Sequence, residues 1–186
     1  MKKITNLRIS YNSPIILTYV FLSLFVLLLG RNITLEFFTL YPNFSLRLID
    51  FFRLFSYILG HANFSHFFSN ISILLLIGPL IEEKYGSKNL LIMIATTALT
   101  SAILHITLFH TAILGASGIV FMLILLTPFT NMQSGKIPLT FVLIALIYMG
   151  REVFTGVTVS DNVSQFGHIL GGTIGAGIGF FMNRKR

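Results

Sequence analysis

The chain has 186 residues, of which 54% are hydrophobic and only 10% charged. A water-soluble domain carries roughly a quarter charged residues to cover its surface, so the composition excludes an ordinary soluble domain and points to a membrane protein of several spans forming one unit, residues 1–186. The net charge of +7 does not point to nucleic acid, because the basic residues cluster at the ends of apolar runs, and the absence of cysteine excludes disulfides, thiol nucleophiles and thiolate metal sites.

Apolar runs long enough to span a bilayer fall at about residues 14–30, 64–81, 90–109, 112–127, 138–154 and 163–182. They predict an all-α bundle of six transmembrane helices. The first run lacks a small-x-small cleavage site and reads as a retained anchor. Between it and the second lies an aromatic-rich stretch, Arg31 to about Asn63, containing "EFFTLYPNF" and "LIDFFRLF". That density of Phe and Leu suits a segment lying partly in the headgroup region. The fifth run is the shortest in apolar content, because Arg151 and Glu152 interrupt its end.

Placing both termini in the cytoplasm puts Lys2, Lys3, Arg8, Lys84, Lys88, Lys136, Arg184, Lys185 and Arg186 inside. Only Arg31, Arg47, Arg53 and Arg151 then face outward, as the positive-inside rule requires.

Polar side chains within spans are costly and mark candidate functional sites. The second run opens with "HANFSHFFSN", in which His66 and Asn70 are four residues apart and share a helical face, with His61 just ahead of it. No HExxH pair and no nearby carboxylate accompany them, so a metal site is not indicated. In "AILGASGIVF", Ser117 lies between Gly115 and Gly118, which expose its backbone to close approach and leave amides free to donate. Ser69, Ser72 and Ser101 are expected instead to bond back to their own helices.

In "SQFGHILGGTIGAGIGF", His168 precedes Gly171 and Gly175, whose spacing makes a small-residue face for tight helix packing. If that face meets the fourth span, Ser117 and His168 come within reach as nucleophile and general base. Packing alone accounts for each feature taken singly, but not as easily for all three.

Together these motifs resemble the rhomboid family of intramembrane serine proteases: His61, His66 and Asn70 in the second span, Gly115, Ser117 and Gly118 at the fourth, His168, Gly171 and Gly175 in the sixth. Arg53 and "EEKYGS" fit the same pattern, and the resemblance extends from about residue 10 to 182. It implies Ser117 as nucleophile and His168 as base, without a third carboxylate; Asp161, in the preceding loop, is not promoted to one. His66, Asn70 and the Ser117 amide would form an oxyanion hole, with His61 and Arg53 in structural roles. Phe121 departs from the pattern, since many members carry a Tyr stacked on the imidazole.

The resemblance further implies transmembrane-protein substrates with small residues before the cut, no cofactor and no metal. A prokaryotic plasma membrane suits such a chain. The rival readings are an inactive rhomboid-like escort protein, which would be expected to lack Ser117 or His168, and a small transporter, for which the sequence shows no internal repeat. The two aspartates, Asp50 and Asp161, lie outside the spans, against an aspartyl protease.

Overall fold

The computed structural model describes residues 9–131, 136–158 and 165–183. Among the described residues the chain is all-helical apart from one isolated backbone bridge. The helices are α1 (Pro14–Leu28), α2 (Arg31–Phe37), α3 (Leu48–Ser56), α4 (Phe64–Tyr85), α5 (Ser87–Leu108), α6 (Ser117–Leu126), α7 (Leu139–Thr158) and α8 (Gln165–Asn183).

Two of these, α4 and α5, are by themselves long and apolar enough to cross a membrane. Among the described residues α1 and α2 reach that length and composition when counted together, and these are bent 119° from each other at Gly30. The apolar stretches Ser117–Thr130 and Leu139–Arg151 are shorter than a full crossing. The expected fourth run from residue 112 is helical only from Ser117 onward. Ile113 is instead paired with Leu40 through two backbone hydrogen bonds of 2.9 Å, and Gly115 adopts φ +123°, which a continuing right-handed helix does not accommodate.

The outer surface supports a hydrocarbon environment. Phe21, Leu22 and Phe25 on α1, Leu76 and Leu80 on α4, Leu91 and Ile92 on α5, and Leu143, Leu146 and Ile147 on α7 all point outward and are exposed. So much outward apolar surface on successive helices would drive association in water, whereas lipid solvates it. At the centre lies α6, with Ile119, Val120, Met122, Leu123, Leu125 and Leu126 all buried.

One buried carboxylate ties the far end of the bundle together. Glu82 of α4 accepts from the amides of Ile15 (3.0 Å) and Ile16 (3.1 Å) and from the Ser87 hydroxyl (2.6 Å). Those amides belong to the first turn of α1, where no intrahelical acceptor exists, and Pro14 at the helix start has no N–H to satisfy. Just beyond, Gly86 turns the chain with φ +83°, so that α5 begins one residue after α4 ends. Glu82→Ala is expected to lower stability by about 2–4 kcal/mol, since it strands buried donors. Thermal unfolding in detergent micelles measures it, and Glu82→Gln should recover part of the loss.

The segment between α1 and α4 is held by a second carboxylate. Asp50 Oδ2 accepts from the amides of Ser45 (3.1 Å) and Arg47 (3.2 Å), and Oδ1 accepts from Arg53 Nη1 at 3.1 Å. Burial by itself raises the Asp50 pKa, but hydrogen bonds from Arg47 and Ser45, with the Arg47 charge, outweigh it and hold the carboxyl below its ordinary 3.8. A lowered native pKa gives stabilisation that is complete above the unfolded-state value and is lost as pH falls through the native one. Amide protection at Ser45 and Arg47 is therefore expected to fall as the pH is taken below about 4. Hydrogen exchange measures it, and in Asp50→Asn protection should be low at every pH.

Candidate active site

Ser117 is the first residue of α6. The turn that delivers it is built by Gly115, whose amide donates to the Tyr57 carbonyl at 2.9 Å and whose φ lies where only glycine is unstrained. A Cβ at Gly115 would also stand 2.8–2.9 Å from the His66 imidazole. The Leu40–Ile113 bridge fixes the same strand of chain from the other side, so the start of α6 is tied to the segment preceding α4.

Helices α6 and α8 pack against each other through their glycines. A methyl group at Gly171 would fall on the Gly118 carbonyl, and one at Gly175 on the Met122 carbonyl. The two backbones therefore touch directly, which only glycine permits. Gly118 follows Ser117 and also faces the Gly167 carbonyl, the residue before His168, so the serine and the histidine flank one contact. His168 is buried, and its ring lies flat on Phe121 with centroids 4.4 Å apart and planes 4° from parallel. Tyr148 of α7 meets the Phe121 ring edge-on at 6.0 Å.

The expected polar stripe of the second run is present on α4. Asn63 caps the helix, its side-chain oxygen accepting from the His66 amide at 2.8 Å. Asn70 Nδ2 donates to the His66 carbonyl at 3.1 Å, leaving its second N–H for another acceptor. The His66 ring, packed against Gly115, meets His61 at 5.1 Å in a T-shaped pair. His61 Nδ1 lies 3.1 Å from the Leu59 carbonyl, which can only accept, so Nδ1 carries the proton. Burial, then the neighbouring His66, pull the His61 pKa down to about 4, against the opposing Leu59 bond. Arg53 lies away from Ser117: Nε (2.9 Å) and Nη2 (2.5 Å) donate to the Glu36 carbonyl, and the guanidinium covers the Tyr41 ring at 5.1 Å.

Asp161 lies outside the described residues. Among the described residues no group of three or more acidic or histidine side chains is arranged to hold a metal ion. Ser69 bonds back to the Ser65 carbonyl at 2.9 Å, whereas the buried Ser101 hydroxyl does not bond back to its own helix and lies instead beside the Tyr57 hydroxyl.

His105, which belongs to none of the spaced motifs, is connected to both sides of the α6–α8 contact. Its Nε2 lies 2.9 Å from the Thr111 carbonyl in the loop leading to Ser117. Its ring stacks on Phe109, which packs at 4.7 Å on Phe166, two residues before His168. The available signal is the i, i+4, i+8 run of Thr97, Ser101 and His105, a polar stripe on an otherwise apolar helix whose three members are all buried.

No curated protein shows a significant match to the chain. The Rhomboid domain model matches residues 49–185, a stretch that takes in α4 through α8 and every glycine, serine and histidine of the contact just described. An all-helical, outwardly apolar fold with these motifs in this order, matched over most of its length, belongs to the rhomboid family.

Proposed function

We propose that the chain is a serine endopeptidase that cuts transmembrane segments of other proteins, with Ser117 as nucleophile and His168 as general base. The observation that carries this reading is the Gly118–Gly171 contact together with the Phe121–His168 stack. The first brings the segments bearing the two residues together, and the second fixes the plane of the imidazole.

In the reaction, the Ser117 hydroxyl gives its proton to His168 as Oγ attacks the carbonyl carbon. His168 returns that proton to the departing amine, and water resolves the acyl-enzyme by the same route in reverse. Charge building on the carbonyl oxygen is met by the Ser117 amide, unpaired at a helix start, and by His66 and Asn70. Phe121 restrains the ring by contact alone, having no hydroxyl to donate. His61 and Arg53 act at one remove, by holding the α4 start and the segment before it.

Six crossings, with the substrate-binding side outward and both termini in a prokaryotic cytoplasm, complete the proposal. The distribution of Lys84, Lys88 and Lys136 against Arg47, Arg53 and Arg151 favours this orientation.

A peptide bond in a helix is shielded by the helix's own hydrogen bonds, so local unwinding must precede attack. In proteoliposomes, a single-span reporter with Gly and Pro near its outer end is expected to be cut, and the same reporter with an uninterrupted Leu helix to be cut at least tenfold more slowly, following the helix-breaking cost of those residues. Equal cutting of both would refute this substrate requirement.

A further inference from the structure

The segment between α1 and α4 forms an open cavity of about 570 Å³ at the surface, whose lining includes Asn32, Glu36, Tyr41, Asn43, Arg47 and Arg53. Its chemistry is two-signed. Arg47 has a side chain 64% exposed and holds Asp50 only through long contacts of 3.3 and 3.4 Å, which leaves most of its five N–H groups to the cavity. The Glu36 carboxylate has no cationic partner within 4 Å among the described residues; Arg53 binds the backbone carbonyl of that residue instead.

The helix that contributes Arg53 to the cavity presents an apolar face outward. Helix α3 is turned inside out relative to a soluble helix, with Asp50, Arg53 and Ser56 buried and Leu48, Phe51, Phe52 and Phe55 exposed. Leu46 and Leu48, on either side of Arg47, are 74% and 90% exposed. Leu46 is also the one non-glycine residue with positive φ among those described, at 57°, a conformation imposed where the Ser45 and Arg47 amides converge on Asp50. A cation and a free carboxylate within one cavity, bordered by an outward apolar face, match a molecule that carries an anion, a cation and hydrocarbon together.

We propose that this cavity binds the headgroup of a phospholipid bearing phosphate and a primary amine, a phosphatidylethanolamine, with phosphate on Arg47, ammonium on Glu36 and acyl chains along the α3 face. The amine is selected over a quaternary choline on two grounds. Asn32 and Asn43 supply amide oxygens that an ammonium N–H can donate to and a trimethylammonium cannot. The aromatic face a choline would need is already occupied, because the Tyr41 ring carries Arg53. Within a bilayer every lipid is at high local concentration, so the site shows itself as selectivity among headgroups.

The test uses the full-length protein in mixed micelles with equal amounts of phosphatidylethanolamine, phosphatidylcholine and phosphatidylglycerol of identical chains, with retained lipids counted by native mass spectrometry. Wild type is expected to retain phosphatidylethanolamine roughly tenfold over phosphatidylcholine, the margin of a charge-assisted hydrogen bond. Glu36→Gln should erase that margin and raise phosphatidylglycerol, while Arg47→Gln should lower retention of all three. Equal retention of the amine and choline lipids by wild type, a comparison that needs no variant, would overturn the proposal. So would displacement of bound lipid by millimolar inorganic phosphate, which would make this a site for free anions.

Discussion

Ser117→Ala is expected to lower peptide-bond cleavage by on the order of 10⁶-fold, to the background of the assay, and His168→Ala to do nearly the same. In the proposed mechanism the two residues act as one unit: without the imidazole the hydroxyl has no acceptor for its proton, and without the hydroxyl the imidazole has nothing to activate. The double variant should therefore be no slower than either single one. Cleavage of a single-span reporter in proteoliposomes measures all three. Because Ser117 is half-buried at a helix start and contributes one small side chain, its replacement should leave the unfolding temperature close to that of wild type. Loss of activity with the fold retained separates a chemical role from a packing role.

Gly171→Ala is expected to cut activity by about 10²-fold, the cost of displacing a catalytic pair by an ångström or so. The added methyl falls on the Gly118 carbonyl, which is backbone and has no rotamer to give way, so α8 must move off α6. That movement shifts His168 relative to Ser117 and destabilises the bundle by about 1–3 kcal/mol, the range for overpacked cores. Gly177→Ala on the same helix is the internal control. A Cβ there meets nothing within 4 Å, and alanine is the better helix former, so activity should hold and stability should stay the same or rise slightly. Reporter cleavage and thermal unfolding of the two variants side by side distinguish a contact-specific effect from a general intolerance of α8 to substitution.

The glycine contact between α6 and α8 was legible in the sequence because its constraints are local. Glycine is demanded where two backbones touch, and Gly171 and Gly175 fall one turn apart on the face that carries His168. Ser117 sits between glycines because the chain must turn sharply into α6 there. The helix start itself was not legible: residues 112–116 are as apolar as the helix that follows, and hydropathy cannot distinguish an apolar extended segment from an apolar helix. What stops the helix is the long-range pairing of Ile113 with Leu40 and of Gly115 with Tyr57. His105 escaped notice for a related reason. Its partners are a carbonyl six residues on and the ring of Phe109, through which it reaches Phe166 of α8, and a link relayed through a second ring leaves no spacing signature. The inverted polarity of α3 was visible only as an excess of Phe and Leu, because the direction each face points is fixed by Asp50 and Arg53 binding inward.

The most direct measurement is labelling of the purified protein in liposomes with a serine-directed fluorophosphonate, with the labelled site located by peptide mass spectrometry. Labelling at Ser117 that disappears in His168→Ala is the predicted result, since the probe reports a hydroxyl activated by its base and needs no knowledge of the natural substrate. A folded wild-type protein that takes up no label, or one whose labelling survives the loss of His168, would contradict the account and leave Ser117 as a packing residue in a rhomboid-family protein that binds without cutting.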